Sequence, residues 1–180
     1  MSRIELVPAD IREPAGLVAA IRERRGGTLL NLDRALLHSV PLAGAWNDYL
    51  RVIRTGLSIP ARLRELAICG VAVLNGADYE FSQHAPEFIR AGGSDDAVRK
   101  LRDFETAALD TMTFDALDRM VMALTIRMTR FVDVDDDTWE RVRTLLPDAQ
   151  AQIEIVSVIA TYNMVSRFLI ACRIEPESDR

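Results

Sequence analysis

The segment from Asp148 to Cys172 constrains the fold more than any other part of the sequence. At helical spacing its apolar residues form two opposite faces. One face consists of Ile153, Val156, Ala160, Met164 and Phe168. The other consists of Ile155, Ile159, Tyr162, Val165 and Leu169. A helix that is apolar all round is buried all round. In a small protein such a helix is either the centre of the fold or part of a subunit interface, so we expect a homo-oligomer.

The rest of the sequence also predicts helices. No stretch shows the sustained apolar–polar alternation of a strand, and proline and glycine residues divide the chain into helical segments. Residues 1–12 look extended. The predicted helices cover roughly residues 14–26, 29–38, 41–56, 58–74 and 77–90, short or medium segments that begin near 94, 113 and 137, and 148–172. We therefore predict an all-α protein with a single domain.

Composition narrows the partners and the location. The chain has 180 residues, a net charge of −5 and no basic block, which argues against nucleic acid or an anionic membrane as its partner. The N-terminus lacks the apolar region of a signal peptide, and the apolar stretch from Leu66 to Leu74 is about half of the ~20 residues that span a bilayer. We therefore expect a cytoplasmic protein. The two cysteines, Cys69 and Cys172, lie outside any Cys-x-x-Cys motif and are interpreted as buried thiols.

The residues that could carry chemistry lie in the two helices predicted at 58–74 and 77–90. The first of these helices is almost wholly apolar in its second half, so the side chain of Glu65 is expected to face inward. In the second helix, His84 lies in an apolar stripe and Glu80 lies one turn earlier. A carboxylate four residues before a histidine can fix its tautomer and raise its basicity, and histidine transfers protons near neutral pH.

Two interpretations of this cluster remain open. Pro86 lies inside the same predicted helix and should clash with the carbonyl of Ser82, and irregular backbone beside a His–Glu pair is typical of a functional site. However, Glu–His pairs at this spacing are common on helices, and often the glutamate only provides a hydrogen-bond partner for the histidine. Burial of Glu65, Glu80 and His84 together would be costly without a purpose, which favours the functional interpretation.

A metal site is not expected. Glu80 and His84 would be half of such a site, because zinc needs three or four ligands. The remaining candidates are His38, on a distant helix, and Glu154, on the last helix. We therefore predict that the chain binds no metal.

Four sequence motifs resemble the carboxymuconolactone decarboxylase family, which includes the AhpD-like alkylhydroperoxidases. The resemblance extends from about residue 40 to residue 172. It implies the AhpD-like helical fold, a pocket between helices, no organic cofactor, and assembly into trimers or hexamers. The motifs are Arg62-Leu-Arg-Glu-Leu-Ala-Ile, Asn75-Gly-Ala-Asp-Tyr-Glu-Phe-Ser-Gln-His-Ala-Pro, Ala91-Gly-Gly-Ser and Tyr162-Asn-Met-Val-Ser-Arg.

The same resemblance indicates which branch of the family is closer. The redox-active branch carries Cys-x-x-Cys-x-x-x-His, and in this alignment the two cysteines fall on Ala77 and Glu80 while the histidine is His84. The upstream glutamate of the family falls on Glu65. Peroxide reduction by a cysteine pair needs a thiolate and a resolving thiol, and neither is present at these positions.

The resemblance therefore implies a cofactor-free lyase or isomerase that acts on a small lactone or carboxylated substrate. His84 is the expected general acid and base, Glu80 orients it or acts as a second acid, and Glu65 relays protons. Arg62 and Arg64 are expected to bind a substrate carboxylate, because guanidinium suits that geometry, and Tyr79 is expected to line the same site. The alternative is that the two arginines are solvated charges at the start of the helix and that Tyr79 only packs.

Two alternatives stay open beside the acid–base enzyme. One is an AhpD-like oxidoreductase related to peroxiredoxins, which the missing cysteine pair opposes. The other is a non-catalytic protein that binds a small molecule in the same pocket. We also expect residues 1–40 to form an N-terminal extension with its own helices, and residues 41–175 to form the helical core that resembles the family.

Overall fold

The structure is a computed structural model, and it describes residues 2–177. Within these residues the regular secondary structure is entirely helical, which confirms the all-α prediction. A π-helical segment, Val52–Gly56, directly follows α3. The ten α-helices of the described residues are α1 (Ala15–Arg25), α2 (Asn31–Leu36), α3 (Val40–Arg51), α4 (Ala61–Asn75), α5 (Asp78–Arg90), α6 (Asp95–Lys100), α7 (Phe104–Ala107), α8 (Ala116–Arg130), α9 (Asp136–Leu145) and α10 (Ala149–Cys172).

Proline and glycine set several of the helix ends, as predicted. Pro14 precedes the first residue of α1, and Gly26 ends that helix with φ of 77°. Gly76 ends α4 with φ of 69°. Backbone with positive φ strains residues that carry a Cβ, so glycine is well suited to both positions. The turn at Gly76 brings α4 and α5 together as neighbouring helices, and these two helices hold most of the predicted site residues.

Other details of the sequence prediction were wrong. The N-cap of α9 is Asp135, whose Oδ1 accepts the N–H of Thr138 at 2.9 Å, whereas the sequence suggests Asp137, near the predicted start of this helix, as the cap. The four-residue helix α7 was not predicted, and α2 is shorter than expected. Cys172 is only half-buried, whereas Cys69 is buried as predicted. Helices of one or two turns carry too few periodic positions to be recognised from sequence.

The chain divides into two compact units. One contains the described residues up to Leu57 together with those from Leu169 onward, and the other is Ser58–Phe168. In the first unit, buried Asp33 accepts hydrogen bonds from Arg25 and from the N–H of Leu30. In the second unit, α4 packs against α5 and α8. All six predicted site residues lie in the second unit.

Helix α10 is buried on one face and exposed on the other. Its inner face is fully buried, whereas Ile153 is 68% exposed and Met164 is 42% exposed. Within a single chain, α10 is therefore not buried on all sides. By length and hydropathy alone α10 could cross a membrane, so the stretch from Leu66 to Leu74 is not the longest apolar segment. Half of the most apolar part of α10 is buried inside the protein, as is common for a core helix.

Candidate acid–base site

Glu65, Glu80 and His84 form a buried cluster between α4 and α5. The three residues are 3%, 4% and 2% exposed. Nδ1 of His84 lies 2.6 Å from Oε2 of Glu65, and Nε2 of His84 lies 3.5 Å from Oε2 of Glu80. The imidazole therefore has a carboxylate at each nitrogen, and the inward orientation predicted for Glu65 is confirmed.

The sequence explains why this histidine is turned inward. His84 lies on the apolar stripe of α5, and its stripe neighbours Phe81 and Phe88 are 2% and 0% exposed. These aromatic residues direct the whole face of α5 into the core. Glu65 lies on α4 among fully buried residues, so the α4–α5 pair brings the carboxylate to the imidazole across nineteen positions of sequence.

A third contact comes from α10. The rings of His84 and Tyr162 meet edge to face, with centroids 5.0 Å apart and an interplanar angle of 84°. Tyr162 is 2% exposed. The edge-to-face arrangement is favourable for aromatic rings and limits rotation of the imidazole. Two carboxylates and one aromatic ring therefore fix the orientation of His84.

Tyr162 was not among the residues that the sequence predicted for the site. Its neighbour Asn163 ties α10 to two other helices, because its amide donates to Thr129 at 3.0 Å and its Oδ1 accepts from Asn75 at 3.1 Å. This polar contact fixes the position of α10 beside His84. The motif that begins at Tyr162 was recognised as part of the family resemblance, but a single sequence gives no signal for which distant side chain Tyr162 meets.

Pro86 lies inside α5, which continues through it to Arg90. Proline has no N–H, so the carbonyl of Ser82 lacks the donor that an α-helix normally provides. The hydroxyl of Ser82 donates to the carbonyl of Tyr79 at 2.7 Å. The side chain of Tyr79 is buried. Pro86 does not interrupt α5, and the carbonyl of Ser82 lies within one turn of both Glu80 and His84.

The two predicted arginines each contact a carboxylate. Both Nη atoms of Arg62 donate to Asp118, at 2.5 and 2.6 Å, and Asp118 is fully buried. This hydrogen bond raises the pKa of Arg62 further above its ordinary value, against the opposing effect of burial. Nε of Arg64 donates to Oε1 of Glu65 at 3.2 Å. Arg64 therefore joins the acid–base cluster through Glu65, while Arg62 links the beginnings of α4 and α8.

Cys69 lies one turn after Glu65 on α4 and is fully buried. Burial raises the pKa of its thiol strongly, and the negative charges of Glu65 and Glu80 raise it further. A reactive cysteine needs the opposite environment, in which positive charge stabilises the thiolate. This sulfur is therefore held as an unreactive thiol.

The two ring nitrogens of His84 have different partners. Glu65 is paired with Arg64, so it is suited to accept a hydrogen bond from a protonated Nδ1. Nε2 then faces Oε2 of Glu80 at 3.5 Å. A buried imidazole with one nitrogen held by a hydrogen bond and the other beside a carboxyl group can act as a general base and then as a general acid.

The remaining candidate metal ligands lie elsewhere. Among residues 2–177 no three His, Cys, Asp or Glu side chains are grouped so that they could hold a metal ion. The carboxylate of Glu154 instead accepts hydrogen bonds from the backbone N–H groups of Ser58 and Ile59, before the start of α4. His38 contacts the carbonyl of Glu5.

The part of the chain that holds the cluster matches a known protein family. The model of the carboxymuconolactone decarboxylase family matches residues 40–122, which include α4, α5 and the whole Glu65–His84 cluster. No curated protein matches the chain.

Three solved structures share the fold. A peroxidase-related protein from Silicibacter sp. TM1040 has a TM-score of 0.82 and 19% identity, over 99% of this chain and 93% of that one. A cysteine-to-alanine variant of the debrominase Bmp8, in complex with 2,3,4-tribromopyrrole, has a TM-score of 0.80 and 20% identity, over 99% and 95%. The apo form of that debrominase has a TM-score of 0.79 and 19% identity, over 96% and 92%.

The sequence resemblance is thus confirmed by the family match, and the solved structures share the helical fold over nearly the whole chain. Residues 40–122 of this chain match the model of the carboxymuconolactone decarboxylase family.

Proposed function

We propose that the protein is a cofactor-free acid–base enzyme that moves a proton on a small lactone or related carbonyl compound. The observation that carries this proposal is the buried imidazole of His84, with Glu65 at 2.6 Å from Nδ1 and Glu80 at 3.5 Å from Nε2. Burial of three titratable groups in one place is costly for stability and is typical of a site that uses them.

In this proposal Glu65 holds Nδ1–H, and Nε2 of His84 takes a proton from the carbon beside a carbonyl group. The electron pair of that C–H bond moves into an enolate. Nε2–H then returns the proton to a carbon of the enolate, with Glu80 as its neighbour and as a second acid. Such a proton transfer by a positioned side chain contributes roughly 10²–10⁴-fold to a rate.

Decarboxylation is a finer form of the same chemistry. Loss of CO₂ from a carboxylated lactone leaves its bonding electron pair in an enolate, which Nε2–H of His84 would protonate. The family name supports this reaction, and the substrate roles proposed for Arg62, Arg64 and Tyr79 belong to it. Arg62 and Arg64 would then have to bind the substrate carboxylate in addition to Asp118 and Glu65.

The proposal is tested with the His84→Gln variant, which keeps the size and polarity of the side chain but cannot titrate. We expect turnover of unsaturated and carboxylated lactones to fall at least about a hundredfold while the helical circular dichroism signal is retained. The exposed His38 provides a matched control, and His38→Gln should retain full activity. Unchanged turnover in His84→Gln would remove His84 from the mechanism.

An oxidoreductase remains the second candidate, because one solved structure with this fold is described as peroxidase-related. The buried thiol of Cys69, with its raised pKa, opposes this function. A peroxidase assay on the wild type and on Cys69→Ser separates the two candidates: peroxide reduction that disappears in Cys69→Ser would favour the oxidoreductase. A ligand that binds without turnover, with His84→Gln changing only its affinity, would favour a non-catalytic binding protein.

We further propose that the protein is a homo-oligomer, either a trimer or a hexamer. The exposed apolar face of α10, with Ile153 and Met164, supports this proposal because monomers rarely expose such a row. Light scattering at micromolar concentration tests it, and a stable monomer would contradict it. The cytoplasmic location and the division into residues 1–40 and 41–175 stay predictions.

A further inference from the structure

The charges around His84 limit the kind of substrate that the site can take. We propose that the substrate is an electrically neutral carbonyl compound, such as an unsaturated lactone without a carboxylate group. This inference rests on the proposed acid–base function and narrows it to proton transfer without loss of CO₂.

Arg62 is already bound to a buried carboxylate. Both of its Nη atoms are bound to Asp118, which is fully buried and also accepts the N–H of Asp115 through Oδ2 at 3.3 Å. A substrate carboxylate that took Arg62 would leave the charge of Asp118 uncompensated in the interior. Breaking a buried ion pair in this way is strongly unfavourable, so Arg62 is poorly available to an anionic substrate.

Arg64 is bound to the acid–base cluster itself. Its Nε donates to Oε1 of Glu65, and Oε2 of the same carboxylate contacts His84. Arg64 therefore balances the charge of Glu65 and supports the hydrogen bond that orients the imidazole. Recruitment of Arg64 by a substrate carboxylate would weaken the acid–base pair on which the reaction depends.

The cluster around His84 contains more acidic than basic side chains. Arg64 contributes one positive charge, and Glu65 and Glu80 contribute two negative charges when ionised. With a neutral imidazole at His84, the four groups carry one negative charge in total.

The neighbouring charged groups do not change the sign of the cluster's net charge. The Arg62–Asp118 pair is neutral, and Arg102 lies 3.8 Å over the ring of Phe81 and forms an ion pair with Asp78. A second negative charge brought to Nε2 would be repelled by Glu80, whereas a neutral carbonyl compound would not.

The chemistry that remains is isomerisation. Nε2 of His84 removes a proton from the carbon beside the carbonyl, the electron pair enters an enolate that extends over the neighbouring double bond, and the same proton returns to the far carbon. Atoms and charge balance within the substrate and His84, so the step needs no oxidant, reductant or co-reactant.

The test compares a butenolide with the same butenolide carrying a carboxymethyl group, both titrated at pH 7 into the full-length protein while the ring nuclei of His84 are followed by NMR. We expect the neutral compound to bind about tenfold more tightly than the anion, because the carboxylate of the anion would be repelled by the negative charge of Glu80. The Glu80→Gln variant should reduce this ratio. Glu87→Gln removes an exposed charge from the same helix and should leave the ratio unchanged.

The outcomes separate the two proposals. Equal or tighter binding of the carboxymethyl compound would overturn the neutral-substrate inference and leave the acid–base function standing. A ratio that is the same in wild type and Glu80→Gln would also overturn it, because the charge of Glu80 would then play no part. If neither compound moves the His84 signals or is turned over, both the inference and the proposed function are contradicted.

Discussion

Nδ1 of His84 lies 2.6 Å from Oε2 of Glu65, although nineteen positions separate the two residues in the sequence. The contact is buried on both sides and crosses from α5 to α4. It therefore links the packing of two core helices to the tautomer of one imidazole. Changes in helix packing and changes in proton transfer should consequently be coupled in this protein.

Arg62 is expected to stabilise the fold. Replacement by Met leaves the buried carboxylate of Asp118 without its partner, so we expect Arg62→Met to lower the free energy of unfolding by about 3 kcal/mol. Urea unfolding followed by circular dichroism measures this change. Arg99 forms an exposed pair with Asp96, and Arg99→Met should change stability by less than about 1 kcal/mol. Equal effects of the two substitutions would show that the Arg62–Asp118 pair is not special.

Glu154 should make stability depend on pH. Burial opposes its ionisation, but hydrogen bonds from Gln150, Ser58 and Ile59 outweigh burial and lower its pKa. Since the folded state prefers the ionised form, its contribution is present above the unfolded pKa of about 4.3 and is lost as pH falls through the folded pKa.

The Glu154→Gln variant tests this dependence. It should be less stable than the wild type at pH 7, and the difference should shrink as the pH is lowered below about 4. Urea unfolding midpoints at several pH values measure it. A difference that stays constant over the whole range would show that ionisation of Glu154 does not contribute.

Gly70 should not tolerate a side chain. A Cβ at this position of α4 would lie 2.2 Å from Cζ of Phe104, on α7, which is itself 1% exposed. We expect Gly70→Ala to destabilise the protein by about 1–3 kcal/mol, because the ring has little room to move. Gly16 in α1 has open space around it, so Gly16→Ala should be neutral or slightly stabilising. Thermal unfolding compares both variants, and a stable Gly70→Ala protein would contradict the tight packing.

Tyr162 is expected to position His84 through its ring. Tyr162→Phe keeps the edge-to-face contact and should leave the ring signals of His84 almost unchanged, whereas Tyr162→Leu removes the contact and should shift them. The loss of the aromatic pair should also reduce stability by roughly 0.5–1.5 kcal/mol beyond the change in buried area. If the Phe variant shifts the signals as much as the Leu variant, the hydroxyl group and not the ring is responsible.

Several of these features could be predicted from the sequence because their signals are local. Gly26 and Gly76 end helices through their own backbone conformation, and the inward positions of Glu65 and His84 follow from helical periodicity. The family motif added the pairing of Glu65 with His84 as members of one site.

Other features could not be predicted because they depend on which distant residues meet. The Arg62–Asp118 pair spans fifty-six positions, and nothing near Arg62 in the sequence indicates a partner on α8. The contact of Tyr162 with His84 is likewise a contact between distant residues. The same is true of Glu154 on α10, which accepts the N–H of Ser58 before the start of α4. The exposed face of α10 could not be predicted for a different reason. Apolar periodicity predicts that a face is buried, but it does not indicate whether the same chain covers that face.

The most direct test of the acid–base site is the tautomer and ligand response of His84, measured by long-range ¹H–¹⁵N NMR on the wild type and on Glu65→Gln. We predict that Nδ1 is protonated and hydrogen-bonded in the wild type, that Glu65→Gln loses this hydrogen bond signature, and that Nε2 is the nitrogen whose signal moves when a butenolide is added. A proton on Nε2 instead, or signals that ignore both the substitution and the ligand, would contradict the account and leave His84 as a packed residue of the core.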